Sequence, residues 1–258
     1  MIDLHTHLLP DWDDGAKDWA ETQKMSEIAH TDGIQKIVIT PHIFRMSKHN
    51  DNLDILQERK AELHKKKAEL PVEFYEGAEV FLHHDILSNL RKHHLTINHS
   101  NYFFIEFPSD YVLPGVKDLF FNIMLEGYIP IISHPERNAV FQERPDLIYE
   151  LIKMDCLAQV TAKSIIGEFG TEVRKTAHYF LTHNFVHLIA SDAHDARNRP
   201  PLLSQAVEEA GKIVGNEKAM AMVTSIPQAI LDNRDISDWD EPISPHPKRK
   251  WSIKLPRF

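Results

Sequence analysis

Short apolar runs rich in β-branched and aromatic residues recur along the chain, alternating with segments whose apolar residues fall three or four apart. The first kind predicts strands over residues 2–7, 36–42, 72–79, 102–107, 129–134, 157–161 and 187–192. The second predicts helices over 17–31, 52–69, 85–92, 116–126, 145–154, 171–182 and 201–213. Gly33 and Gly127 read as helix stops, because glycine takes the left-handed cap without a Cβ clash. Strictly alternating strands and helices imply successive βα units and a parallel sheet, hence an α/β chain. The pattern fades near residue 235. Residues 238–258 carry four prolines and a basic-aromatic end, "KRKWSIKLPRF". The expected organisation is one domain over 1–235 followed by a tail over 236–258, read as a flexible terminus with a docking segment as the sharper alternative.

Length and composition narrow the class. A chain of 258 residues with 42% hydrophobic content suits a single large domain, since α/β barrels reach about 250 residues as one unit. A net charge of -9 argues against nucleic acid as a partner, because phosphate-backbone binding needs a basic face. Cys156 is the single cysteine, which excludes an internal disulfide framework. No apolar run approaches the roughly 20 residues of a membrane span. The first residues lack the basic and apolar regions of a signal peptide, so the expected location is the cytoplasm.

Histidine is over-represented, with 17 copies. His64, His93, His94, His99 and His183 have polar neighbours and read as surface residues. Five of the others, His5, His7, His42, His134 and His194, fall at strand ends. His5 and His7 close the first predicted strand, His42 the second, Glu79 the third, Glu106 the fourth, His134 the fifth, and Asp192 with His194 the last. In a βα barrel these ends converge on one face, where the active site is built. His5-x-His7 in a strand points both imidazoles to one side, and Asp192-x-His194 repeats that geometry. With an aspartate of "DDG" the set is too large for one ion and fits two or three, Glu79 being the natural bridge. Imidazole and carboxylate ligands without cysteine suit manganese, iron or zinc, and the oxygen-rich share leans toward manganese or iron.

Arginines narrow the reaction. Arg137 follows His134 in "SHPERN" and Arg199 follows His194 in "SDAHDARNRP", with Arg197 the local competitor for the second role. A guanidinium beside a metal cluster clamps phosphate oxygens, so the residues predict metal-assisted phosphoester hydrolysis: a metal-bound hydroxide attacks a phosphate held by arginines. A cysteine-phosphatase mechanism is excluded. It needs an arginine six residues after the nucleophile, and Ala162 stands there, leaving Cys156 as core packing.

H-x-H, D-D-G, T-P-H, G-A-E, I-E-F, S-H-P-E-R and S-D-A-H, in this order, resemble the polymerase and histidinol phosphatase (PHP) superfamily. More narrowly they resemble its manganese-dependent protein tyrosine phosphatases, which accompany capsular and extracellular polysaccharide synthesis in Gram-positive bacteria. The resemblance spans residues 1 to about 235. It implies a distorted (β/α)7 TIM-like barrel of the PHP fold with two or three ions, Mn2+ first and Fe or Zn as alternatives. One metal would be held by His5, His7, Glu79 and Asp192, a second by Glu79, Glu106 and His134, and a third by Asp14, His42 and His194. Asp14, beside Gly15, matches the family aspartate better than Asp13. Arg137 and Arg199 match the phosphate-binding arginines. The implied substrate is phosphotyrosine in the C-terminal tail of a bacterial tyrosine kinase, which would recruit the enzyme to the membrane-associated kinase. The rival within enzymes is a PHP phosphatase or phosphoesterase acting on histidinol phosphate or a nucleotide. A metal-stabilised binding module would have lost ligands or arginines, and none is missing. Trp12, Phe44, Arg45 and Tyr111 are candidates to flank the entrance, with loop packing the stronger reading.

Overall fold

The computed structural model describes residues 1–45, 48–49, 51–83, 85–236 and 239–246. The basic-aromatic stretch 248–258 lies outside them. Parallel strands β1 (Ile2–Thr6), β2 (Lys36–Ile39) and β4 (Glu73–Glu76) form one sheet in the order β1-β2-β4. A second parallel sheet runs β3 (His42–Ile43), β5 (Glu79–Phe81), β6 (Tyr102–Glu106), β7 (Ile129–Ile132), β8 (Leu157–Thr161) and β9 (Leu188–Ala190). β2 and β3 are halves of one predicted strand, as are β4 and β5, so the seven-strand expectation holds with two strands interrupted. The interruptions face each other. Pro41 has no N–H to donate, and a Cβ on Gly77 would sit 2.9 Å from Val38 Cγ1.

The sheet curls until its ends meet. His7 N–H donates to Ala193 O (2.8 Å) and Asp192 N–H to His5 O (3.0 Å), with a parallel bridge between Thr6 and Ala193. Alternate strand residues fill the interior: Leu4, Val38, Phe104, Ile131, Leu157 and Leu188. Helix α11 (Ser225–Leu231) floors the N-terminal end with Ile226, Ile230 and Leu231. This leaves the opposite end for the polar strand-end residues.

The outer layer comprises α1 (Trp19–Thr31), α2 (Leu53–Lys66), α3 (Ile86–His93), α4 (Val116–Leu125), α5 (Ala139–Glu143), α6 (Pro145–Ile152), α7 (Ala162–Ile166), α8 (Thr171–Thr182), α9 (Ser204–Val214) and α10 (Asn216–Ala221). Periodicity located the longer ones. It missed α5, α7, α10 and α11, which are too short to show a repeating apolar face. The start of α9 slips past Pro200 and Pro201 to Ser204, where the Asp32 carboxylate accepts the N–H groups of Leu203 (2.6 Å) and Ser204 (3.0 Å). Part of the tail lies on the barrel: Ile243 N–H donates to His183 O (2.8 Å), and Trp239 packs on His187 with ring centroids 5.4 Å apart. Among the described residues no helix is long and apolar enough to cross a membrane.

Candidate metal centre

β1 slips register against β2 between Asp3 and Thr6, a bulge that breaks the two-residue alternation. Leu4 therefore belongs to the interior cluster while the next residue, His5, also turns inward and lies against Phe104, with ring centroids 4.8 Å apart. His5 Nε2 and His7 Nε2 end 3.3 Å apart. Glu79 Oε2 is 3.2 Å from His5 Nε2 and 3.5 Å from His7 Nε2, and Asp192 Oδ1 is 3.8 and 3.5 Å from the same two atoms. Asp14 Oδ1 sits 3.5 Å from both His42 Nε2 and His194 Nε2. His134 Nε2 is 3.2 Å from Glu79 Oε1, while Glu106 Oε2 is 3.6 Å from His42 Nδ1.

All nine predicted ligand positions thus meet at one end of the barrel. Three overlapping groups have ligand atoms within 4.8 Å of one another: His5, His7 and Asp192; His7, Asp14, His42 and His194; and His42, Glu79 and Glu106. His42 bridges the last two, placing Nδ1 3.1 Å from Glu79 Oε2 while Nε2 faces Asp14. His7, His134 and Asp192 lie just beyond their strands. His134 (φ 32°) and Asp192 (φ 53°) adopt left-handed backbone, the local strain common where a side chain must be aimed at a site.

These residues fit divalent cations. Both Glu79 oxygens, Glu106 Oε2 and His42 Nδ1 are buried without a hydrogen-bond partner, a costly state that a coordinated cation relieves. Burial and neighbouring Glu79 push the Glu106 carboxyl up to about 8. Burial acts on Glu79 in the same sense, but His5, His42 and His134 outweigh it and hold that carboxyl well below its usual range. Burial pulls His42 and His134 down to about 4, so both are neutral lone-pair donors at pH 7.

Arg137 and Arg199 approach from the rim. Arg137 Nη1 and Arg199 Nη2 each lie 2.5 Å from Asp192 Oδ2, whose other oxygen faces His5 and His7. One carboxylate therefore joins the imidazole cluster to the guanidinium pair. Arg197 is exposed, and its loop is organised around Asp195, which accepts the N–H groups of residues 197 and 198. A cavity of about 380 Å³ opens over the pair, lined by Arg45, Glu106, His134 and Phe169 among others.

The family profile of capsular polysaccharide synthesis CpsB/CapC proteins matches residues 1–232. The chain belongs to the CpsB/CapC family. It is 33% identical over 258 residues to the tyrosine-protein phosphatase YwqE of Bacillus subtilis, covering 97% of this chain and 98% of that one. It superposes, with a TM-score of 0.85 and 33% identity, on a chain from the crystal structures of YwqE from Bacillus subtilis and CpsB from Streptococcus pneumoniae, described as unique metal-dependent tyrosine phosphatases. That match covers 94% of this chain and 98% of the other. A histidinol phosphate phosphatase from Lactococcus lactis shares the fold at a TM-score of 0.53 and 13% identity, covering 85% and 94% of the two chains.

In this CpsB/CapC member a supporting shell fixes the imidazoles. His5 Nδ1–H donates to Gln159 Oε1 (3.1 Å), His7 Nδ1–H to Asp13 Oδ2 (3.0 Å), and His194 Nδ1–H to Asp192 O (2.9 Å). With Nδ1 engaged, each ring presents Nε2 to the centre. The "DDG" pair thereby divides its labour: Asp14 faces the cluster, whereas Asp13 orients His7 and accepts the His42 N–H (2.9 Å). Sequence reading missed Gln159, whose only signal is a polar residue within an apolar strand. It also left Glu136 unassigned, though that buried carboxylate accepts from Thr161 N–H (3.0 Å) and Ser164 Oγ–H (2.6 Å) and so anchors the turn carrying Arg137. Trp12 does not flank the entrance. It is fully buried, its indole N–H donating to His42 O (2.9 Å), which is the loop-packing alternative. Arg45 does line the cavity, with Nη1 2.5 Å from Glu106 Oε1.

Proposed function

We propose that this protein is a metal-dependent protein tyrosine phosphatase that hydrolyses phosphotyrosine in the C-terminal tail of a bacterial tyrosine kinase and so regulates capsular or extracellular polysaccharide synthesis. The catalytic unit is the barrel over 1–235, with 236–258 as its tail, acting in the cytoplasm at the membrane-associated kinase. The observation that carries this reading is the double engagement of Asp192 by Arg137 and Arg199 on one oxygen, beside a buried imidazole and carboxylate cluster on the other.

His5, His7, Glu79 and Asp192 would hold one ion, Glu79, Glu106 and His134 a second, and Asp14, His42 and His194 a third. Manganese is the preferred ion, with iron or zinc as alternatives, because carboxylate oxygens share the ligation with imidazoles. Bound ions supply Lewis acidity and an activated water. Arg137 and Arg199 bind the phosphate oxygens, orient the ester and offset the charge that builds during transfer. Gln159, Asp13 and the Asp192 carbonyl keep the imidazole lone pairs aimed inward.

The test is elemental analysis of the purified protein coupled to assays with a phosphotyrosine peptide, histidinol phosphate and a nucleotide phosphodiester under manganese, iron and zinc. The reading expects bound transition metal and a clear preference for the peptide. Preference for either small substrate would replace it with a metabolite phosphatase.

A further inference from the structure

Phe169 belongs to none of the motifs that mark the metal centre, yet its ring lies against both arginines. The Arg137 Cζ is 5.2 Å from the ring centroid and the Arg199 Cζ 5.8 Å. The ring is half-buried and lines the same cavity. A tight turn presents it. Gly170 N–H donates to Gly167 O (3.1 Å), and both glycines have positive φ, 90° at Gly167 and 97° at Gly170, a backbone that side chains resist.

We propose that Phe169 is a positioning residue for the two-arginine phosphate clamp, a role that rests on the phosphatase reading above. An arginine side chain has many rotamers, and holding two of them toward one phosphate costs conformational freedom. The Asp192 carboxylate takes one N–H from each, and its carbonyl takes a second from Arg199 Nη2 (3.0 Å), but adding further carboxylates would consume the donors that phosphate needs. An aromatic face attracts a guanidinium through its quadrupole without accepting its in-plane N–H groups. The ring leaves the in-plane N–H groups unconsumed, and Arg199 Nε has no hydrogen-bond partner.

The surrounding ties support the same role. Lys163 of α7 bonds the carboxylate of Glu168, next to Phe169, and the carbonyl of Asn198, next to Arg199 (2.5 Å). Glu136, next to Arg137, is bonded to Thr161 at the N-terminal cap of α7 and to Ser164 within the helix. Both arginine-bearing loops are therefore fixed to the short helix whose C-terminal turn carries the ring.

The experiment uses metal-loaded wild-type protein and the variants F169A, F169L and F169Y, measuring inorganic phosphate binding by calorimetry and kcat and KM on a phosphotyrosine peptide. The expected result for F169A and F169L is about tenfold weaker phosphate binding with a matching rise in KM, the order given by two modest cation–π contacts. F169Y, which keeps the ring face, restores both. In an R137A/R199A background F169A adds no further loss. Unchanged phosphate binding in F169L overturns the proposal. So does a loss confined to the peptide with phosphate binding intact, which assigns the ring to the substrate's aromatic group instead. Wild-type protein that neither binds phosphate nor hydrolyses the peptide overturns the phosphatase reading together with this one, whereas an active wild type with unaltered F169L overturns the role of Phe169 alone.

Discussion

Gln159 Oε1 accepts from His5 Nδ1 at 3.1 Å and from the His134 N–H at 3.3 Å, so one neutral side chain on β8 orients two imidazole-bearing segments. Replacing it with Leu removes the acceptor that fixes the His5 ring while preserving buried volume. Gln159→Leu is expected to weaken metal affinity about 10- to 100-fold, the usual effect of losing a partner behind a metal-binding imidazole. Calorimetric manganese titration of the metal-free variant measures it directly.

Asp13 and Asp14 are adjacent but face different atoms, and their amide variants separate the roles. Asp14→Asn removes the charged oxygen between His42 and His194, and it is expected to lower the number of bound ions. Asp13→Asn should leave that number intact and weaken affinity through His7. Metal-to-protein ratios at saturation distinguish them, and identical ratios would refute the division.

Arg137→Ala should reduce kcat/KM on a phosphotyrosine peptide by about 100-fold or more, the scale of losing a donor that meets developing transition-state charge. Metal content should stay at the wild-type level, since the guanidinium contacts Asp192 on the oxygen turned away from His5 and His7. Turnover that survives the substitution would remove Arg137 from the phosphate site.

Gly15 has no room for a side chain: a Cβ there would lie 2.1 Å from His7 O and 2.5 Å from His7 Cβ. Because Ala16 N–H also donates to His7 O (2.9 Å), the loop cannot move without disturbing that histidine. Gly15→Ala is expected to cost about 1–3 kcal/mol of stability by overpacking, together with weaker metal binding. Chemical denaturation with and without manganese tests both effects.

His187 is fully buried away from the metal centre, and burial, aided by the Lys218 charge, brings its pKa down from 6.5 to about 3. Between those values the unfolded chain binds a proton that the folded chain refuses. Its contribution to stability is therefore complete above pH 6.5 and is lost as pH falls, amounting to about 2 kcal/mol at pH 5. His187→Gln keeps an acceptor for the Ala158 N–H and removes the titration. Denaturation curves from pH 7 to pH 4.5 should show a shallower pH dependence in the variant.

The sequence alone determined the seven βα units, because alternating apolar strands and helices with three-to-four spacing leave few other packings. It also placed eight metal-capable residues, since side chains at the C-terminal ends of parallel strands must converge when the sheet closes, while Asp14 came from the family resemblance. Only the tertiary structure decided how they are aimed. The β1 bulge that turns His5 inward after Leu4, the separate duties of Asp13 and Asp14, and the burial of Trp12 depend on contacts between distant segments. Gln159 and Phe169 were illegible for the same reason. A glutamine in a strand and a phenylalanine between glycines carry no periodic signal, and they acquire a role only when folding brings them against His5 and the arginine pair. Strand ends announce which atoms meet, whereas the partners behind those atoms are chosen by the packed interior.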